Sequence, residues 1–289
     1  MKTAIIVDST ATLPENLSSL ENVFQIKLSV IFPDGEVRED SSDPQVISDY
    51  YNELENMTTL PTTSQPTNGQ IYDLYEEIIQ AGYEEVYGIV IASQLSGTLS
   101  SLEAVSRTFT DQVTTHMIDA KSTSAVSQHL VAECLRLLAA GYTADTIVPA
   151  LKQVADESET YILVGSLDNL VKGGRLSATG AFFGNLLKII PLIKIDRAGS
   201  LEVIDKIRTE RKMREKFKAI YQTAHAKYGD RLHLAIAHSN ALERALNIVG
   251  NMSDDIDISQ VSVSGLTPVV GTHVGNGSIG IFLLVDADL

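Results

Sequence analysis

The sequence predicts an α/β fold in two domains. The N-terminal domain, residues 1–157, is a mostly parallel sheet with flanking helices. The C-terminal domain, residues 158–289, is mixed α/β. Three observations predict this. Apolar runs of strand length alternate with helical patterns through the first half. The alternation restarts after Glu157-Ser158-Glu159. In the second half, two apolar runs are joined by Arg197-Ala198-Gly199-Ser200, which is hairpin spacing and brings antiparallel pairing into that sheet.

Residues 3–7 (TAIIV) read as a buried strand ending in the loop Asp8-Ser9-Thr10. Residues 23–32 alternate apolar and polar and read as one strand, closed by the turn Pro33-Asp34-Gly35. Asp43-Pro44 opens a helix over 44–56, with proline in the first turn. The stretch Leu60 to Pro66 cannot be helical, since two prolines bracket Thr62-Thr63-Ser64-Gln65 and hold an extended backbone. A helix (69–81), a strand (85–92), the loop Ser93 to Thr98 and a helix to about 109 follow. Then come a strand (113–119) and helices over 122–140 and 143–156. The second half reads as strand 160–166, a short helix, the corner Gly173-Gly174-Arg175 and a helix over 178–187. Strands at 188–195 and 201–208, helix 209–228, strand 231–238, helix 240–252 and strands near 258–265 and 278–285 complete it. Residues 271–277, rich in glycine, read as a loop.

Composition narrows the function. The 289 residues are 44 % hydrophobic and 20 % charged, which suits a large buried core. Lys and Arg number 22 against 37 Asp and Glu, a net charge of −15 that repels nucleic acid. Cys134 is the one cysteine, so neither an intrachain disulfide nor a cysteine zinc site is expected. The apolar run at the start meets Asp8 at once, and no run approaches the ~20 residues of a membrane span, so a cytoplasmic protein is expected. Three N-x-S/T sequons, at Asn16, Asn56 and Asn251, are read as chance.

Two tempting motifs fail. Gly275 to Gly280 fits G-x-G-x-x-G, but a terminal strand follows where a dinucleotide site needs a helix and a ribose-binding acid. The six histidines show no metal-ligand spacing, and no P-loop or nucleophile elbow occurs. No cofactor or metal is therefore expected. A serine hydrolase built from Ser93 or Ser96 with His273 stays open as a second reading.

Other segments suit ligand binding at the C-terminal ends of strands. Ser93, Ser96, Gly97 and Thr98 offer hydroxyls and amides to an anion, or simply cap a helix. Thr63 and Ser64 are displayed on the proline-bracketed strand. Arg175 puts five fixed donors on a glycine corner, suited to a carboxylate or phosphate. His273 lies among Gly271, Gly275 and Gly277, which permit close backbone approach. The apolar stretches 160–167 and 181–193 line a pocket or fill the core. If they line a pocket, an amphiphilic anion fits it. Sixteen carbons at ~0.8 kcal/mol per methylene would give a gross ~12 kcal/mol. Seven cations within residues 206–218, against Glu210 and Glu215, make a local charge of +5, either a solvated helix with pairs such as Glu210–Arg214 or a docking patch.

In chain order, D-S-T (Asp8 to Thr10), T-S-Q-P (Thr63 to Pro66), L-S-G-T (Leu95 to Thr98), G-G-R-L-S (Gly173 to Ser177), R-T (Arg208, Thr209) and G-x-H-x-G (Gly271 to Gly275) together resemble the DegV family. Its members are the fatty-acid-binding subunits of the bacterial fatty acid kinase system. Two positions depart from the family pattern: Ala92 stands where a serine is common, and Asn276 where proline is common. The resemblance implies a tunnel between two α/β domains that buries one long-chain fatty acid, without a nucleotide site or catalysis of its own. It implies that Thr63, Ser64, Ser93, Ser96 and Gly97 hold the carboxylate, with Arg175 and His273 supplying or organising positive charge. It further implies that Arg208, Arg211 and Lys212 dock an ATP-dependent kinase that makes an acyl phosphate. An acyltransferase of phospholipid synthesis is a further implied partner.

Overall fold

The structure, a computed structural model, describes residues 2–176, 189–250, 252, 256 and 258–289. The expected helix over 178–187, most of the apolar stretch 181–193, Ser177 and Asn251 lie outside the described residues.

The first half is built on four parallel strands, β1 (Thr3–Asp8), β2 (Val23–Ile26), β6 (Glu85–Val90) and β7 (Thr114–Asp119), in the order β2-β1-β6-β7. A short helix α1 (Glu15–Ser18) joins the first two. Successive side chains of β1 go to opposite faces. Ala4 and Ile6 meet Ile71, Tyr75 and Leu102 from α3 (Asn68–Gln80) and α4 (Thr98–Ser106). Ile5 and Val7 meet Leu130, Cys134 and Leu151 from α5 (Ala125–Ala139) and α6 (Ala144–Glu157). Burial on both faces explains why β1 reads as an unbroken apolar run. The start of α3 is fixed by a capping box between Thr67 and Gln70.

The run 23–32 is two strands. After Ile26 the chain leaves the parallel sheet, because the Leu28 amide donates to Ser9 Oγ (3.2 Å) and the Leu28 carbonyl accepts from the Asp40 amide (2.8 Å). β3 (Ser29–Ile31) then pairs antiparallel with β4 (Val37–Glu39) and β5 (Thr62–Ser64) in a separate small sheet. Helix α2 (Pro44–Glu55) packs beside it, N-capped by Asp43.

The second half is a six-stranded sheet in the order β10-β9-β8-β13-β11-β12. Its strands are β8 (Glu159–Leu163), β9 (Ile190–Ile195), β10 (Leu201–Ile207), β11 (Leu232–His238), β12 (Ser262–Gly265) and β13 (Ile279–Val285). Only the β11–β12 pair is parallel. The helices are α7 (Leu167–Lys172), α8 (Glu210–Tyr228), α9 (Leu242–Val249) and α10 (Pro268–Val274). One sheet face packs on α8 and α9 through Met213, Phe217 and Ile248. The other turns Ile162, Ile193, Phe282 and Leu284 into the core that α5 and α6 share with the parallel sheet. Helices α5 and α6 therefore lie between two sheets, and one apolar core runs through both halves. Among the described residues no helix is long and apolar enough to cross a membrane.

The glycine-rich stretch 271–275 is not a loop. It is the end of α10, closed by Gly275 at φ +82°. The start signal is Thr267-Pro268, a Thr N-cap position followed by proline at N1. Gly271 is needed because the Tyr51 ring and hydroxyl lie where a Cβ would stand.

Candidate functional site

A cavity of about 270 Å³ opens where the ends of β5 and β6, the start of α4, α10 and the β9–β10 hairpin meet. Its walls are mostly apolar, with Leu28, Ile91, Leu95, Ile162, Ile195 and Val269 among them. Of the two apolar stretches singled out in the sequence, 160–167 contributes Ile162. From 181–193, Leu192 and Ile193 are fully buried in the sheet instead.

The polar end is made by Thr63, His273 and Arg175. β5 presents Thr63 opposite Val30 of β3, and its Oγ1 lies 2.8 Å from His273 Nε2. The two residues are 210 apart in sequence. His273 Nδ1 is buried with no hydrogen-bond partner among the described residues, pressed against Gly173, where a Cβ would collide with the ring. A bare lone pair is cheaper to bury there than an N–H, so the proton sits on Nε2 and is donated to Thr63. The Thr63 hydroxyl hydrogen is then free for a ligand. Burial, and secondarily Arg175, push the His273 pKa down to about 4. The imidazole is neutral at pH 7. Its Nε2 faces the Thr63 hydroxyl, and Arg175 is the cation beside it.

The charge is Arg175's. Its Nε donates to the Leu95 carbonyl (3.2 Å) and its Nη1 to the Gly173 carbonyl (2.7 Å), which leaves three of five N–H donors. The group is half-buried, and loss of water lowers its pKa. No carboxylate pairs with it among the described residues. A partly dehydrated cation with no counterion among the described residues is suited to an anion.

Ser64, Ser96 and Gly97 also line the cavity. Ser96 Oγ bonds Thr98 Oγ1 (2.9 Å) and accepts from the Thr98 amide (3.3 Å). Gly97 admits the Gln65 side chain, whose Oε1 lies where a Cβ would be, and Gln65 Nε2 reaches Ser101 Oγ. Ser93 is elsewhere. Its Oγ donates to Asp119 Oδ2 (2.6 Å) at the end of β7, and it does not line the cavity. Among the described residues no three His, Cys, Asp or Glu side chains gather as a metal would require.

The Asp8-Ser9-Thr10 loop lies beneath the site rather than in it. Asp8 is fully buried and accepts from the Thr10 amide and hydroxyl and from the Ile91 amide. Ser9 Oγ donates to Asp40 Oδ2 (2.8 Å), and Asp40 Oδ1 accepts from the Val269 amide (3.0 Å) at the start of α10. Asp40, which sequence reasoning missed, thus fastens the helix that carries His273. Burial is the main cause that raises its pKa from 3.8 to about 6. A raised carboxyl stabilises the fold fully below its unfolded value, and that contribution is lost as pH rises through 6, about 3 kcal/mol in all. In urea melts from pH 4 to 8, the stability difference between wild type and Asp40→Asn should move by about this amount in favour of the variant. A difference that stays flat would remove Asp40 as the titrating group.

The basic segment runs from the end of β10 into the first part of α8, with its cations on the outer side and Met213 and Phe217 buried. Arg211 faces Glu215 loosely at 3.7 Å, and the Lys212 amide is capped by Thr209 Oγ1. Glu210 pairs with Arg244 of α9, not with Arg214, which reaches Asn247 instead. Arg208 is exposed just before the helix. Cations at a helix N-terminus oppose its dipole, so this arrangement costs helix stability.

The profile described as "uncharacterised protein, DegV family" matches residues 2–286. The chain belongs to the DegV family. A DegV domain-containing protein of Streptococcus pyogenes serotype M6 is 32 % identical over 282 residues, covering 96 % of this chain and 97 % of its own. The crystal structure of a fatty acid binding DegV family protein from Streptococcus agalactiae matches this DegV chain with a TM-score of 0.88 at 29 % identity, over 99 % of each chain. DegV of Bacillus subtilis, described as a fatty acid binding protein, matches with a TM-score of 0.82 at 28 % identity, over 98 % of this chain and 99 % of its own. The two-domain α/β architecture expected of a DegV protein is the one seen here.

Proposed function

We propose that this chain binds one long-chain fatty acid, with its acyl chain in the apolar cavity and its carboxylate on Arg175 and Thr63. The observation that carries the reading is the apolar cavity ending on a half-buried guanidinium that has no carboxylate partner among the described residues. The fatty-acid-binding relatives at 28–29 % identity support it. Ser64, Ser96 and Gly97 edge the carboxylate, and neutral His273 holds Thr63 in its donating orientation. The protein acts as a cytoplasmic carrier without a cofactor. It presents the carboxylate to an ATP-dependent fatty acid kinase, which returns an acyl phosphate for phospholipid synthesis. Arg208, Arg211 and Lys212 form the docking patch, their charge set against the helix dipole and against the acidic remainder of the chain.

A Ser/His hydrolase is disfavoured by the same geometry. His273 Nε2 faces Thr63, while Ser93 is bonded to Asp119 and Ser96 to Thr98. Native mass spectrometry of the purified protein, followed by denaturation and extraction, tests the carrier reading. A bound mass of one C14–C18 fatty acid, released on unfolding, is expected. No lipid, with no uptake of added palmitate or oleate, would overturn it.

A further inference from the structure

The Asp8-Ser9-Thr10 loop does not line the apolar cavity, yet its hydrogen bonds end on three residues that do. The Leu28 amide donates to Ser9 Oγ, the Ile91 amide to Asp8 Oδ2, and the Thr123 hydroxyl to Thr10 Oγ1 at 2.8 Å. The first two are backbone amides, which need only an acceptor. Thr123 is different. It brings a hydroxyl to a wall that also carries Leu28, Ile91, Ile162, Ile195 and Val269. A hydroxyl hydrogen covered by an acyl chain loses water without gaining a partner, which weakens binding. What matters for the chain is therefore where the Thr123 hydrogen points.

Asp8 decides this from behind the wall. Asp8 and Thr10 are fully buried, and Thr123 nearly so. Asp8 Oδ1 accepts from the Thr10 amide (2.9 Å) and Oδ2 from the Ile91 amide, so each oxygen faces a group that can only donate. The Thr10 hydroxyl adds a further bond to Oδ1, at 2.6 Å. Burial raises the Asp8 pKa, and these bonds work against the rise. A hydroxyl has one hydrogen. That of Thr10 is spent on Asp8, so Thr10 Oγ1 can only accept, and the hydrogen between Thr10 and Thr123 belongs to Thr123. It points behind the wall, at Thr10, and not into the cavity.

We propose that Asp8 and Thr10 are positioning residues for the acyl chain, which by ordering the Thr123 hydrogen make a hydroxyl-bearing wall residue behave as an apolar one. This rests on the fatty-acid reading above. Neither residue touches the ligand. The chain covers Thr123 without stranding a donor, and the buried loop acts on binding through that one hydroxyl.

Calorimetric titration with palmitate over a double-mutant cycle of Thr10→Val and Thr123→Val tests this. Thr10→Val keeps the shape of the side chain and removes the acceptor. The Thr123 hydroxyl then turns to water in the cavity, which palmitate must strip, so affinity should fall roughly tenfold. Adding Thr123→Val should restore most of that loss, because no hydroxyl is left to strand. Thr10→Ser, which keeps the oxygen, should recover it too. A merely structural Thr10 gives a loss that the double variant retains. No loss in Thr10→Val, or a loss that Thr123→Val leaves uncorrected, would overturn the proposal while the fatty-acid reading stands. If Thr10→Val does not fold, Thr123→Val alone decides. A tenfold gain over wild type would show the hydrogen already facing the cavity and overturn the proposal, and no gain would support it. Failure of wild type to bind palmitate would overturn the fatty-acid reading and the proposal with it.

Discussion

Replacing Arg175 with glutamine should weaken palmitate binding roughly 30-fold, about 2 kcal/mol, and leave folding nearly intact. Removing the guanidinium takes away a charge-assisted pair with the carboxylate, worth about 1.5–3 kcal/mol when one partner is charged. The acyl chain keeps its own driving force, so binding is reduced and not abolished. Folding tolerates the change because Arg175 is itself short of water in the free protein. The two bonds lost, to the carbonyls of Leu95 and Gly173, are offset by relief of that burial. Arg175→Lys should fall between the two, keeping charge without the fork. Calorimetric titration with palmitate measures all three proteins. An affinity for the glutamine variant within threefold of wild type would show that the carboxylate sits elsewhere.

Gly271→Ala should destabilise the protein by about 3 kcal/mol and lower its fatty acid content. The added methyl would stand inside the Tyr51 ring, which is fully buried and anchored by its hydroxyl on the Leu266 carbonyl at 2.9 Å. Either α2 or α10 must move. Both are tied nearby, since the Tyr50 hydroxyl meets Thr272 Oγ1 at 2.6 Å on the same helix face. Movement of α10 carries His273 off Thr63. Gly69→Ala is the contrast. Gly69 lies in the first turn of α3, where a Cβ would meet only Thr67 Oγ1 at an ordinary 3.9 Å, so alanine there should be neutral or stabilise by a few tenths of a kcal/mol. Thermal melts and lipid extraction on both variants check this. Equal stability of the two would mean that the Tyr51 contact is slack.

What the sequence made legible was what is local or buried on both sides. The central strands β1 and β6 are buried along almost their whole length and read as apolar runs, because helices cover both faces of their sheet. The start of α3 is written in Thr67 and Gln70, and that of α2 in Asp43-Pro44. The small sheet was illegible because β4 and β5 are three residues each and exist only by pairing with β3. Helix α10 reads as a loop in the sequence because Gly271 within it and Gly275 and Gly277 just after it outweigh the Thr267-Pro268 start. For the site, the order of short motifs brought Thr63, Ser96, Arg175 and His273 together through family resemblance. No local rule joins residues 210 positions apart. Which serine faces the cavity was decided by Asp119, 26 residues beyond Ser93. Lys172 and Asp40 carried no pattern. A lysine beside a glycine corner and an aspartate in a polar run are ordinary until the fold gives the first a cavity shared with Arg175 and the second the Val269 amide.

The place of β13 has a consequence for how the molecule comes into being. This strand, residues 279–285, lies between β8 and β11, so it joins two parts of the second sheet that do not otherwise touch as strands. During synthesis the parallel sheet can assemble as soon as its own residues emerge. The strands β8 to β10 and β11 to β12 must wait as separate pieces until residue 285 leaves the ribosome. Helix α10 immediately precedes β13, so His273 reaches Thr63 at that same moment. The nascent protein therefore has no competent greasy pocket to fill while it is being made. Under the proposed function, uptake of a fatty acid follows as a single late event, after the last stitch of the sheet is in place.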